Sequence, residues 1–327
     1  MILAYSLTMR KSFATQPALF ATHDLLDHPA LSALDEIEGL IDWLALEPLL
    51  PEGKGETGRL GYASLTLFRA LLLGLWHDLS DVRLEAQLAR DLMFRKFCRL
   101  ELDQGVPQAS TIGRFRMALE KSGRLEAVLT EINAQLSTQN VILQEGRVAI
   151  VDATVIEAAQ SGFRKNDPEA GSHVKVNAKG KMQAKWGYQA FVNCDEDGFV
   201  FATAMTPGNE HEINSLPDLL DGSEDMLFAD SAYSSQRIRD WMVRKDIKDR
   251  VQRKGYRNRK LSPEDRARNV EIGVTRGRVE AIFGHMKRLW GMARSRFMGL
   301  ARTHAHFQIA AIGWNLQKGA RYRQMFG

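Results

Sequence analysis

The hydrophobic periodicity of this chain changes once, near Gly146, and that change restricts the possible folds more than any other feature. From about residue 30 to 139 apolar residues recur at three- and four-residue spacing, as in Leu34, Ile37, Leu40, Ile41 and Leu44, and again in Leu84, Leu88 and Leu92. That is the spacing of helices with one buried face. Beyond Gly146 short apolar runs of strand type alternate with helical stretches. Val148–Val151 ends on Asp152, and Met226–Ala229 ends on Asp230. The reading is an all-helical N-terminal domain over residues 1–145 and an α/β domain over residues 146–327, and 327 residues suffice for two domains with proper cores.

Within the first part Ser64, Ser80 and Ser110 stand just ahead of apolar-periodic runs, where N-caps belong. Pro51 to Gly61 is Gly-rich and reads as an exposed loop. In the second part Gly187–Asn193 and Phe199–Ala204 flank Asp195-Glu196-Asp197-Gly198, a hairpin signal with a solvated turn. Glu212–Leu220 reads as a helix, Met226–Ala229 as a strand, Ser235–Arg244 as a serine-capped helix and Ile247–Val251 as a further strand. A polar, basic linker over Gln252–Asn269 then leads to two helices, Val274–Ala293 and His304–Tyr322.

The net charge of +4 conceals a strong partition. Residues 1–150 carry net −4, residues 151–230 net −8, and residues 231–327 hold 23 Lys and Arg against seven Asp and Glu, net +16. A polyanion is the partner this last third suits, because each cation laid on a phosphate releases condensed counterions. Nine Lys or Arg fall between Arg244 and Lys260, among them Arg253, Lys254, Arg257 and Arg259. The most apolar stretch, Leu65–Trp76, is interrupted by Arg69 and is shorter than the roughly 20 residues of a membrane span. Arg10 and Lys11 follow an apolar start instead of preceding an apolar run, so no secretory signal is expected. Cys98 and Cys194 form no disulfide framework, which fits a soluble protein of a reducing cytoplasm.

Several signals carry little. Gly53-Lys54-Gly55-Glu56-Thr57-Gly58 matches GxGxxG but follows no strand. His304 and His306 are two apart, which on a helix puts them on different faces. The acids of 195–197 lack the bidentate glutamate of a calcium loop.

Asp152 and Asp230 share a context, each at the end of a short apolar strand and followed by small or hydroxylated residues. Either alone can cap the next turn; together with a third carboxylate they favour a metal site. Glu280 supplies it in Arg276-x3-Glu280-x6-Lys287. At 100° per residue Arg276 and Lys287 lie about −40° and −20° from it, on one helical face. Val279, Ile282, Phe283 and Met286 form the flank that buries. By spacing alone these three read better as surface ion pairs.

These motifs resemble the DDE transposases of bacterial insertion sequences, specifically the insertion sequence five group and its insertion sequence four relatives. The resemblance runs over Leu79-Ser80-Asp81 through Phe94-Arg95-Lys96-Phe97 to Ser110-Thr111-Ile112-Gly113-Arg114-Phe115-Arg116, then Val151-Asp152-Ala153-Thr154 and Lys185-Trp186-Gly187-Tyr188. It continues in Thr206-Pro207-Gly208-Asn209-Glu210-His211, Ala229-Asp230-Ser231-Ala232-Tyr233 and Arg276-Gly277-Arg278-Val279-Glu280 to Lys287. The group's signature is Tyr-x2-Arg-x3-Glu-x6-Lys; here Gly273 stands at the tyrosine position.

The resemblance implies a ribonuclease H-like catalytic domain with Asp152, Asp230 and Glu280 as catalytic and metal-binding residues. Only 50 positions separate Asp230 from Glu280, which leaves no room for a large β insertion. It implies two magnesium ions, with manganese able to substitute, bridged by Asp152 and held singly by Asp230 and Glu280, roughly 4 Å apart across an in-line phosphoryl displacement. The partner is double-stranded DNA, as terminal inverted repeats and as target, bound by a homodimer in the bacterial cytoplasm at the nucleoid. Arg276, Lys287 and Lys185 are expected on DNA phosphates, as are Arg114 and Arg116 behind the Ser110 cap. Two other readings stay open: a ribonuclease H-like DNA nuclease that does not join strands, and a domesticated DNA-binding protein without chemistry.

Overall fold

The computed structural model describes residues 29–52, 61–142, 147–159, 167–176, 181–255 and 260–326. The loop Gly53–Gly58, the 145/146 boundary, Arg10, Lys11, Arg257 and Arg259 lie outside the described residues. The chain divides into compact units Met1–Glu131 and Ile132–Gly327, a division that falls inside a helix.

The first unit is helical: α1 (Asp35–Glu38), α2 (Ser64–Trp76), α3 (Asp81–Arg90), α4 (Leu92–Cys98), α5 (Ala109–Ser122) and the start of α6 (Leu125–Thr138). Helix α2 is buried along almost its whole length, as its largely apolar sequence requires. Arg69, which interrupts that sequence, is 1% exposed. Its guanidinium pairs with Glu38, donates to the Phe97 carbonyl at 2.8 Å and lies 4.1 Å over the Trp43 ring. Of the three expected serine caps, Ser80 caps α3 by accepting from Arg83 N. Ser64 is already the first residue of α2 and donates to the Pro51 carbonyl at 2.6 Å, while Ser110 lies inside α5, whose cap position is Gln108.

The second unit is built on one six-stranded sheet: β1 (Val148–Glu157), β2 (Gly171–Val176), β3 (Met182–Cys194), β4 (Val200–Pro207), β5 (Met226–Ala229) and β6 (Lys248–Val251). The strands run β4-β3-β1-β5-β6, with β2 pairing the N-terminal half of β3. β3 is antiparallel to β1 and β4, whereas β5 and β6 run parallel to β1. This is the mixed sheet of a ribonuclease H-like domain. Strand β1 continues past Asp152 through Ala153-Thr154-Val155-Ile156, of which the last three have β-branched side chains that favour the extended chain.

A 3-10 turn (Glu212–Ser215) and the helical turn α7 (Leu216–Leu219) replace the single helix expected there. Ser235 caps α8 (Gln236–Arg244) by accepting from Ile238 N. Helix α9 (Pro263–Leu289) begins eleven residues before the expected Val274, capped by Ser262 with Pro263 in its first turn, so much of the supposed linker is helix. Helix α10 spans Leu300–Phe326. α9 packs on β1 and β5, α10 on β4 and β3.

Two glycines permit the close approaches at the sheet's centre. A Cβ on Gly187 would stand 2.1 Å from the Ile156 carbonyl oxygen, and one on Gly208 2.6 Å from that of Gly171. The Asp195 turn differs from expectation. Asp195 is 3% exposed and accepts from Phe199 N at 2.8 Å, and burial pushes its carboxyl up to about 6.

Candidate active site

The parallel register of β1 and β5 pairs Ile150 with Phe228. Asp152 and Asp230 each stand two residues further on, so the two aspartates occupy equivalent positions on adjacent strands, whose axes lie roughly 4.8 Å apart. Asp152 sits in the middle of β1 because β3 continues to pair with it, Asp152 opposite Val192. At Asp230 the strand ends, and its Oδ1 accepts from Ala232 N at 2.7 Å to cap the 3-10 turn Ser231–Tyr233. The capping role open to any aspartate after a strand is therefore real at Asp230.

Helix α9 reaches the pair from above the sheet. Arg276 Nη2 donates to Asp152 Oδ2 at 2.6 Å, and its Nη1 to Gln252 Oε1 at 3.4 Å. Three turns on, Lys287 Nζ donates to Thr154 Oγ1 at 2.5 Å and to the Val155 carbonyl at 2.8 Å. The helix is thus bolted along β1 at two points by the cations of its signature. Between them Val279, Ile282, Phe283 and Met286 are buried as expected, and Glu280, one turn beyond Arg276, is solvent-exposed. A Cβ on Gly273 would meet only the Gln252 amide, at 3.7 Å.

Burial raises the Asp152 carboxyl above its ordinary range; Arg276 and Ala153 N oppose this, and Asp230 adds to it. Sequence reasoning missed a further acid here. Glu212 is pushed up to about 7, by burial first and then by Asp230 and Asp152, against the cations Lys175 and Arg276. It directly follows Thr206–His211, a motif whose recognition stopped one residue short of it. Tyr233, buried beneath the same acids, has its hydroxyl pushed well up by burial and by Glu212, Asp152 and Asp230. That hydroxyl makes no hydrogen bond among the described residues.

Carboxylate oxygens that raise one another's pKa are a donor set suited to a hard divalent cation. Among the described residues no three His, Cys, Asp or Glu side chains are drawn together as a ready-made metal set. At Asp152 the counter-charge is the Arg276 guanidinium, on Oδ2.

The remaining expected DNA contacts divide. Arg114 on α5 is exposed and, among the described residues, reaches Thr111 at 3.4 Å, whereas Arg116 is held by Asp81 in a bidentate ion pair. Lys185 Nζ pairs with Glu157 at 2.9 Å, and so does Arg294. Arg253 pairs with Asp249 at 2.9 Å, and Lys254 is exposed.

Residues 143–316 match the family described as Transposase DDE domain, and residues 23–118 match Transposase domain (DUF772). No solved structure matches the chain.

Proposed function

The chain belongs to the DDE transposases of insertion-sequence type, and from that premise we propose that it cuts the ends of its element and joins the freed 3′-hydroxyl to target DNA. Within that family its motifs resemble most those of the insertion sequence five group, related to the insertion sequence four group, and we place it there. The observation that carries the reading is the equivalent placement of Asp152 and Asp230 on parallel strands, with Arg276 of the signature helix on the first of them.

Asp152, Asp230 and Glu280 are the residues to hold two magnesium ions, or manganese in their place. When bound these ions supply Lewis acidity at the scissile phosphate and an activated oxygen nucleophile. The chain's own groups do the positioning. Glu280 stands on a helix whose packed flank fixes where its exposed face lies. Arg276 is placed to pass from Asp152 to a phosphate oxygen once that aspartate is otherwise neutralised, and its planar fork suits a bidentate contact. Lys287, held by Thr154 and Val155, contributes positive potential beside the strand without leaving its place.

Residues 1–145 serve DNA end recognition and dimerisation, with exposed Arg114 the better contact and Arg116 a structural tie to Asp81. The protein acts as a homodimer on double-stranded DNA, in the bacterial cytoplasm at the nucleoid. No helix among the described residues is long and apolar enough to cross a membrane.

The test is magnesium-dependent cleavage of a terminal-repeat duplex beside a scrambled one, with a labelled target plasmid present. Nicking at the repeat's 3′ end followed by joining to the plasmid is the expected result. Cleavage without joining would make it a nuclease, and repeat-specific binding without cleavage a domesticated binder.

A further inference from the structure

We propose that the ribbon formed by β2 and the first part of β3 lies along the sugar-phosphate backbone of the bound duplex, an inference that rests on the transposase reading above. Strand β1 ends at Glu157, opposite Gly187 of β3. From Trp186 back to Met182, β3 pairs with β2 alone among the described strands, and all five of these residues are exposed. Residues opposite one another in such a pair share a face. The register sets His173 beside Lys185 and Lys175 beside Gln183 on one face, and Val174 beside Ala184 on the other, which Met182 and Trp186 share by alternation. The ribbon thus has one basic and one largely apolar face.

The distribution of charge carries the inference. Residues 151–230 hold 14 Asp and Glu against six Lys and Arg, yet all six cations fall between Arg164 and Lys185, and no acid occurs from Ala170 to Cys194. A surface charged only for solubility intersperses its signs. Here the cations are gathered on an element that starts where β1 ends, five residues past Asp152, or roughly 17 Å along the strand, the length of about five phosphates of one DNA strand. A phosphodiester brought to Asp152 and Asp230 meets charges of its own sign, and a positive element at that remove holds the flanking duplex while the reacting phosphate stays free for the centre. Lys185 is tied to Glu157 at 2.9 Å, whereas Lys175 is exposed and in no ion pair among the described residues, so Lys175 is the better contact. Phosphate contacts position a duplex without reading its sequence, so the ribbon serves element ends and target DNA alike.

The experiment measures binding of the full-length chain to a terminal-repeat duplex and to a scrambled one, in calcium and over a series of salt concentrations, for the parent, Lys175→Gln, Lys175→Arg and Val174→Gln on the opposite face. Lys175→Gln is expected to lower the slope of log K against log salt by roughly 0.9 on both duplexes, the value for one phosphate contact, while Lys175→Arg and Val174→Gln keep the parental slope. All three variants are expected to melt with the parent, because both positions are exposed. A parental slope for Lys175→Gln, or an equal fall for Val174→Gln, would overturn the ribbon contact and leave the transposase reading standing. A fall shared by Lys175→Arg would make the lysine a structural residue and also overturn it. A fall confined to the terminal-repeat duplex would overturn the phosphate contact in favour of base-edge reading. A parent that bound neither duplex would overturn the transposase reading itself, and this inference with it.

Discussion

Arg276 and Asp152, 124 positions apart in sequence, are joined by a 2.6 Å hydrogen bond that ties the middle of the first strand to helix α9. The guanidinium is the chief counter-charge to a carboxyl that burial holds above its ordinary range. A raised carboxyl binds protons in the folded state that the unfolded chain has released, so its contribution to stability is lost as pH rises through the folded pKa.

Arg276→Gln should lift Asp152 further and widen that window. In EDTA the variant is expected to melt below the parent, by a margin that grows from about pH 4 to pH 8, the unfolded carboxylate's range upward. Melting curves followed by circular dichroism at several pH values measure it. A margin independent of pH would mean that Arg276 contributes packing and no charge compensation.

The two aspartates were legible because short apolar strands advertise their ends, and Met226–Ala229 is the strand that forms. Asp152 was misplaced to a strand end since Asp-Ala-Thr reads as a terminus, whereas pairing with β3 carries β1 on to Glu157. The start of α9 was illegible for a related reason. Glu264 to Asn269 show no apolar period, and that turn is held by polar bonds instead, Arg268 to the Val251 and Asp249 carbonyls and Gln252 to that of Asn269. Glu212 could not be seen as a neighbour of Asp230 because only the packing of two 3-10 turns brings them together.

Arg69 and Glu38 allow a contrast between losing one partner of a buried pair and replacing the cation itself. Glu38→Gln leaves the guanidinium buried against Trp43 and Phe97 without its Glu38 counter-charge, and should destabilise the helical unit by about 3–5 kcal/mol. Arg69→Met removes the charge, continues the apolar sequence of α2, and should cost clearly less. Denaturant unfolding followed by tryptophan fluorescence reports both; a larger loss for Arg69→Met would show that the pair is net stabilising.

Gly187→Ala tests whether the sheet's centre is as close as it looks. The added methyl would fall 2.1 Å from the Ile156 carbonyl oxygen, backbone that has no rotamer with which to yield. Loss of more than about 4 kcal/mol, and insoluble expression of the chain, is expected from such a clash. A soluble variant with parental melting would require β1 and β3 to lie farther apart than they do here.

The basic stretch after β6 should govern the salt dependence of DNA binding, but not evenly. Arg253 shares Asp249 with Arg268 and so has a structural partner, whereas Lys254 is exposed. Lys254→Gln should lower the slope of log K against log salt by roughly 0.9, the value for one phosphate contact. Arg253→Gln should change the slope less and the melting temperature more. Equal slopes for the parent and Lys254→Gln would place that lysine away from DNA.

Glu280 is the residue whose loss best separates chemistry from binding. Its side chain is exposed while Val279, Ile282, Phe283 and Met286 on the neighbouring flank are buried, so Glu280→Gln should leave the helix packed and the melting temperature within a degree or two. Cleavage of a terminal-repeat duplex in magnesium should fall at least 100-fold, about the loss seen when a single transition-state stabiliser is removed. Asp152→Asn and Asp230→Asn should behave alike, and the triple variant should be little worse than any one, because groups that act as a unit do not contribute additively. Binding to the same duplex, followed in calcium, should be unchanged by Glu280→Gln, since the exposed acid adds no attraction for a polyanion. Cleavage by Glu280→Gln at the parental rate would remove it from the centre and leave Asp152 and Asp230 as its acids.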